Sequence, residues 1–285
     1  MKEYINLCNK ILNTGIKKIN RTNVDTLAIF GEFYKIDVAK GYPLLTTKKM
    51  FFNSMLREVL WYISGDDHIR ELRKHTKIWD AWADEDGNLE TAYGRYWRRY
   101  PVPSSHAVGK EVFVDEFHPF CSVDETGNYV FDQLGWAINE LETNPNNRRI
   151  IISAWHPANA VVSKLPPCHF VWVLNVLDGK LNLHLTQRSC DLPVGVPFNL
   201  ACYALLTQLI AQHVGLEVGI FAHTLVDCHI YVNQLDGIKE QITREPLPLP
   251  KLEIEKQDTI DDYRFEHFKL VDYNHHPAIK FSVAV

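Results

Sequence analysis

The chain reads as an α+β protein in a single domain on three observations. Two β-rich runs flank an Asp178-Gly179 turn, two apolar helical patterns stand apart from them at residues 49–64 and 197–214, and no Pro/Gly/Ser-rich linker divides the 285 residues. That length lies near the upper limit for one hydrophobic core, so residues 1–285 are expected to form one domain. The elements follow in chain order.

Residues 49–64 place Phe52, Met55, Leu56, Val59, Leu60 and Ile63 at three-and-four spacing, and Gly65 follows as a stop. This predicts a core helix. Glu58 falls inside the apolar stretch, where a carboxylate is either at a solvated edge or held for chemistry; the frequency of buried glutamates favours the edge. Residues 102–129 mix Pro, Gly, Ser and isolated aromatics and read as an irregular insertion loop.

Phe170–Val176 and Leu181–Leu185 then form the predicted hairpin, with the second run alternating apolar and polar as a half-buried strand does. A hairpin puts Cys168 and Arg188 at the same end. Gly195-Val196-Pro197-Phe198-Asn199-Leu200 opens a helix with proline at its start, carrying Ala201, Ala204, Leu205, Leu209 and Ile210 up to Gly215. Asn199 in its first turn offers both a donor and an acceptor, for capping or for recognition equally. Asp227–Tyr231 alternates as a short strand or strand end, with Asp227, His229 and Tyr231 on one face. Phe281–Val285 is an apolar tail that calls for a docking place.

Apolar residues at 46% and charged residues at 23% describe a globular protein with ample core. The formal charge of −5, with no block of like charges, gives no support to nonspecific nucleic-acid or membrane binding. Arg95, Arg98 and Arg99, and the pair Arg148-Arg149, are local exceptions suited to a small anion. The six cysteines show no CxxC and no regular spacing, so neither a zinc site nor a disulfide framework is expected. The start has no apolar leader and no run is long enough to span a membrane, which makes a reducing cytoplasm the expected compartment.

A lone cysteine is ordinarily an inert small hydrophobe. Cys168 differs in its company: the diproline Pro166-Pro167, the adjacent His169 and Arg188 at the end of the next strand. A cation beside a thiol favours the thiolate, the nucleophilic form, so covalent catalysis is expected.

Pro166-Pro167-Cys168-His169, Gln187-Arg188-Ser189-Cys190-Asp191, Gly195–Asn199 and Asp227–Tyr231 occur in the order and spacing of the thymidylate synthase family. The resemblance runs nearly end to end, through Arg21-Thr22, Thr46-Thr47-Lys48, Trp79-Asp80-Ala81-Trp82, Tyr93-Gly94, Arg148-Arg149, Ser153-Ala154-Trp155 and Arg244–Pro250. It implies a large mixed sheet with helices on one side and a second subunit on the other. It also implies reductive methylation of dUMP to dTMP, with 5,10-methylenetetrahydrofolate as donor of the one-carbon unit and the hydride and with no metal.

In that reaction Cys168 would add to uracil C6 and make C5 nucleophilic. Glu58, through water, and Asn199 would stabilise charge at O4, and Tyr93 would help remove the C5 proton. Asn199 would read the base, since uracil and cytosine present opposite donor patterns. The resemblance further places Arg21, Gln187, Arg188, Ser189, Asp191, His229 and Tyr231 against the nucleotide, and Trp79, Trp82, Asp191, Phe198 and Val285 against the folate. Arg148 and Arg149 would reach the phosphate site of the other subunit of a homodimer.

The chain departs from the family pattern at Val226, where glycine is usual, and at Val194, His156, Gln234, Glu90, Thr91 and Tyr96. Because these lie on the folate side and the outer cleft, a second reading stays open: a dUMP or, on a weaker footing, dCMP hydroxymethylase, in which water replaces hydride. A non-catalytic nucleotide- or RNA-binding paralogue is the third, opposed by the retained Cys168, Arg188, Asn199, Glu58 and Tyr93.

Overall fold

The computed structural model describes residues 1–102 and 118–282. Its centre is a six-stranded sheet in the order β1-β2-β9-β8-β7-β6, formed by β1 (Ile16–Lys18), β2 (Thr26–Asp37), β6 (Ile151–Ser153), β7 (His169–Leu177), β8 (Lys180–Asp191) and β9 (Glu217–Tyr231). All neighbours run antiparallel except β8 and β9. Those two are parallel because the chain returns between them through the 19-residue helix α7 (Gly195–His213), the kind of crossover that a parallel pair requires.

Helix α7 is apolar around its whole circumference, and Leu200, Tyr203, Leu205 and Leu209 are fully buried. It packs on β8 and β9 and against α2 (Phe52–Ser64). Both helices are internal, as their patterns predict. Gly65 ends α2 in the left-handed conformation at φ 73°, with its N–H on the Tyr62 carbonyl. Helix α1 (Lys2–Thr14) covers β2 with Tyr4, Leu7, Cys8 and Ile11, a three-and-four stripe.

Helix α4 (Tyr93–Arg98) crosses α2 at Gly94, where a Cβ would lie 2.3 Å from the Tyr62 carbonyl oxygen. Only glycine permits that approach, which sets Tyr93 beside α2. The remaining helices are α3 (Arg70–Arg73), α5 (Gln133–Thr143), α6 (Pro157–Val162) and α8 (Leu235–Ile242). A ribbon of β10 (Lys251–Ile254) and β11 (Phe268–Val271) completes the C-terminal part.

The predicted hairpin forms with Asp178 at φ 51° and Gly179 at φ 69°, the pair of positive angles that a tight two-residue turn needs. Two sequence expectations change. The segment at 227–231 is the end of a 15-residue strand, whose first part the period-two reading did not register. The span 102–129 is not irregular throughout: β3 (Tyr100–Pro101), β5 (Tyr129–Phe131) and β4 (Cys121–Val123) form a small antiparallel sheet. Asp124 Oδ1 closes the β4–β5 turn by accepting from the Thr126 and Asn128 amides, and Gly127 supplies φ 83°. Residues 103–117 of that expected insertion lie outside the described residues.

Val226 sits inside β9, between Leu225 opposite Gln187 and Asp227 opposite Ser189, with no left-handed φ. Nothing in the backbone there demands glycine. Among the described residues no helix is long and apolar enough to cross a membrane.

Candidate active site

The ends of β7, β8 and β9, the start of α7 and the flank of α2 converge on one cleft. Its larger cavity, about 490 Å³, is lined by Glu58, Tyr93, Cys168, Asp191, Asn199 and Tyr231 among others. A second cavity of about 420 Å³ adjoins it and shares Arg21, Cys168, Ser189, His229 and Tyr231, with Arg188 on its wall. Together they hold Cys168 between an apolar, carboxylate-bearing chamber and a polar, basic one.

The hairpin fixes Cys168 as anticipated: the Arg188 amide donates to the Cys168 carbonyl at 2.8 Å. The Arg188 side chain folds back along the diproline. Its Nε donates to the Pro167 carbonyl at 2.9 Å and its Nη2 to the Pro166 carbonyl at 2.6 Å, while the guanidinium stacks 5.7 Å from the Trp155 ring centroid. The Pro166 and Pro167 carbonyls thus anchor the arginine beside the thiol.

The thiol corrects one sequence expectation. Burial pushes Cys168 above its ordinary range, and Arg188 and Arg21 pull it down without overcoming that effect. The free protein therefore holds Cys168 as a thiol, with cations in place to stabilise the thiolate. His169 is no base for it: burial lowers it to about 3, its Nδ1 is paired with the Tyr203 hydroxyl at 2.7 Å, and its ring stacks on Tyr93 at 3.6 Å.

Tyr93 reaches the nucleophile from the other side, its hydroxyl accepting from the Cys168 amide at 2.8 Å. Burial holds this phenol well above its usual range, so it stays protonated. Glu58 corrects the expectation of a solvated edge. Its Oε1 accepts from Tyr62 Oη at 2.8 Å and Trp79 Nε1 at 2.7 Å, and burial raises its carboxyl against those two donors. The helical spacing misjudged it because Trp79, 21 positions on, packs on Trp61 of α2 and reaches Glu58, which sequence periodicity does not reveal.

Asn199 faces the cavity from the first turn of α7, with Oδ1 accepting from Gln187 Nε2 at 3.0 Å. Asp191, at the end of β8, accepts the Val194 amide at 3.3 Å, and burial raises its carboxyl although His229 and Gln234 oppose this. Gln234 Nε2 bridges Asp191 Oδ2 at 3.5 Å and the Ser282 carbonyl at 2.9 Å, so the chain just before its end docks beside Asp191. Val285 lies outside the described residues. Buried Lys48, lowered to about 8 by desolvation, covers the Phe281 ring at 4.6 Å.

His229 Nδ1 pairs with Asp227 Oδ1 at 3.1 Å, which orients the ring toward the cavity. Asp227, bonded first by His229 and then by Lys18, titrates at about 2. Trp82, Val194 and Phe198 line the apolar part of the larger cavity.

Two groups of arginines lie outside this cleft. Arg148 and Arg149 are exposed on the α5–β6 loop and line neither cavity. Arg95, Arg98 and Arg99 are not an anion site: Arg98 binds Asp132 and Asp261, and Arg95 and Arg99 bind Asp67, acidic partners that sequence proximity concealed. Sequence reasoning missed Tyr34 and His223 behind Gln187 and, beside Glu58, Tyr62; the polar insertions in apolar strand and helix patterns were their only signal. Among the described residues no group of three or more His, Cys, Asp or Glu is placed to hold a metal.

A sequence profile of thymidylate synthase matches residues 2–285. The chain belongs to the thymidylate synthase family. A curated thymidylate synthase of Haloferax volcanii is 42% identical over 98% of this chain and 95% of its own length. Thymidylate synthases are transferases that methylate, and this member is accordingly an enzyme of one-carbon transfer. The family's hydroxymethylase chemistry, raised by the folate-side departures, is not favoured by this match. The departures themselves are locally satisfied. His156 Nδ1 accepts from the Asn159 amide at 3.4 Å, and Tyr96 Oη accepts from Asn159 Nδ2 at 2.9 Å, so one asparagine serves both. Thr91 Oγ1 donates to the Leu165 carbonyl at 2.8 Å.

Proposed function

We propose that the enzyme converts dUMP to dTMP with 5,10-methylenetetrahydrofolate, through a covalent bond between Cys168 and uracil C6. The observation that carries this reading is that one cleft is lined by Cys168, Tyr93, Glu58, Asn199 and Asp191, five groups with distinct chemical tasks. Arg21, Arg188 and Ser189 lie on the basic side, where a phosphate would sit, and His229 and Tyr231 stand where a ribose hydroxyl would follow.

Phosphate binding holds the pyrimidine over Cys168, turning attack at C6 into an intramolecular step. Arg188, clamped by the two proline carbonyls, supports the thiolate that burial disfavours. Addition at C6 pushes charge to O4, where the Asn199 amide and, through water, Glu58 stabilise it. Asn199 donates to O4 and accepts from N3–H, so cytosine is discriminated against. Tyr93, protonated and bonded to the Cys168 amide, passes the C5 proton through water rather than as a phenolate.

The apolar walls at Trp79, Trp82, Val194 and Phe198, with a buried carboxylate at Asp191, fit a flat heteroaromatic ring carrying N–H donors. Bound there, methylenetetrahydrofolate supplies the one-carbon unit and the hydride. The tail around Ser282, docked on Gln234 beside Asp191, excludes water from that side.

We further propose a homodimer through the open sheet face, where Phe33 is 53% exposed, with Arg148 and Arg149 completing the partner's phosphate site. Neither arginine forms a salt bridge among the described residues, which leaves both available. A cytoplasmic location is in keeping with six free thiols.

Mass spectrometry of the product made from dUMP and methylenetetrahydrofolate tests the reaction while dihydrofolate absorbance is followed. dTMP with equimolar dihydrofolate is expected; 5-hydroxymethyl-dUMP with tetrahydrofolate would mean that water wins.

A further inference from the structure

A line of hydrogen bonds runs from the core behind the sheet to the base-reading amide. Tyr34 Oη pairs with His223 Nδ1 at 2.7 Å, His223 Nε2 with Gln187 Oε1 at 3.0 Å, and Gln187 Nε2 with Asn199 Oδ1 at 3.0 Å. Tyr34, on β2, and His223, on β9, are buried and line neither cavity of the cleft.

The direction of every bond in this line is determined. Gln187 Nε2 also donates to the Ser189 backbone carbonyl at 3.0 Å, and a carbonyl can only accept. The nitrogen of the Gln187 amide must therefore be on that side, and its oxygen must face His223. His223 Nε2 then carries the ring proton and donates. Its Nδ1, left with a lone pair, accepts from the Tyr34 hydroxyl. The ring is neutral, since burial lowers it to about 3, so one proton serves two nitrogens and the tautomer is a binary choice.

The same logic continues outward. Asn199 must turn its oxygen toward Gln187, which leaves its Nδ2 at the other corner of the planar amide, directed away from Gln187. We propose that Tyr34 and His223 are positioning residues that, together with the Ser189 carbonyl, hold the polarity of the Asn199 amide and thereby the choice of uracil over cytosine. The inference rests on the reading that Asn199 recognises the base. In the opposite tautomer His223 Nε2 would present a lone pair to Gln187 Oε1; two acceptors would face each other in a dry site unless Gln187, and with it Asn199, turned over.

The test compares dUMP and dCMP affinities by calorimetry in four variants, alongside ¹⁵N NMR of the His223 ring in the unaltered protein. Tyr34→Phe keeps the ring packing but removes the hydroxyl that favours a lone pair at His223 Nδ1; His223→Leu removes the donor to Gln187; His223→Gln restores one. The dUMP preference is expected to fall about tenfold in the first two and to return to within about threefold in His223→Gln, with the ring protonated at Nε2. An unchanged preference in both Tyr34→Phe and His223→Leu, or a ring protonated at Nδ1, overturns the proposal. Asn199→Asp separates the two levels. If it too leaves the preference unchanged, the base is read elsewhere and the recognition reading itself fails; if it shifts the preference while Tyr34→Phe and His223→Leu do not, only the relay fails.

Discussion

The nucleotide side and the folate side of the cleft are built by opposite means. On the nucleotide side Cys168, Arg188, Ser189, His229 and Tyr231 project from the ends of paired strands or just before them, with Arg188 tied to the proline carbonyls and His229 to Asp227. On the folate side Trp79, Trp82, Val194 and Phe198 come from turns and a helix start and supply mainly apolar surface. Directional bonds tolerate little change, whereas an apolar wall accepts another side chain of similar volume. The departure from the family pattern at Val194 falls on the second side, where this difference predicts that it costs least.

The largest break in that comparison is Cys168→Ala, expected to lower turnover by at least about 10⁴-fold while dUMP still binds, because the covalent route is lost. Single-turnover kinetics with calorimetry check it; substantial residual turnover would remove the covalent mechanism.

Glu58→Gln comes next, with kcat down about 10²–10³-fold. The carboxyl is raised above its unfolded value by burial. Its ionisation therefore costs stability as pH climbs from the unfolded carboxylate value, about 4.3, through the folded one, and the loss stays constant above that. Glutamine keeps an acceptor for Tyr62 and Trp79 without that loss, so the variant should melt no lower than the parent at pH 7. A fall in melting temperature would show that the charge is stabilising.

On the folate side, Gln234→Ala should raise the folate KM roughly 3- to 10-fold with dUMP affinity unchanged, since it removes the amide that donates to the tail carbonyl and to Asp191. An equal effect on both ligands would erase the distinction between the two sides. Val226→Gly sharpens it further. Glycine in a regular strand should cost about 1 kcal/mol and leave the product as dTMP; a faster or altered reaction would show that the valine constrains the cleft.

The smallest effect is expected from Asp227→Asn. Asp227 is held at about 2 by His229 and Lys18, so its stabilisation is present above the unfolded value, about 3.9, and fades as the pH falls toward 2. The variant should lose a little stability at pH 7, and its acid unfolding should be less steep between those values. Identical acid curves would mean that the exposed half of this pair contributes nothing.

Sequence alone determined the hairpin, both internal helices and the proximity of Cys168 to Arg188, because turn chemistry and apolar period are local properties. It also carried the family, through motifs kept in order along the chain. Tertiary structure decided the protonation of Cys168, where burial outweighs two arginines, and the environment of Glu58, whose donors come from the next helical turn and from a residue 21 positions on. It alone joined Tyr34 to Asn199 across 165 positions through His223 and Gln187. Desolvation and hydrogen-bond direction depend on which surfaces meet, and that is set only when strands far apart in the chain are laid side by side.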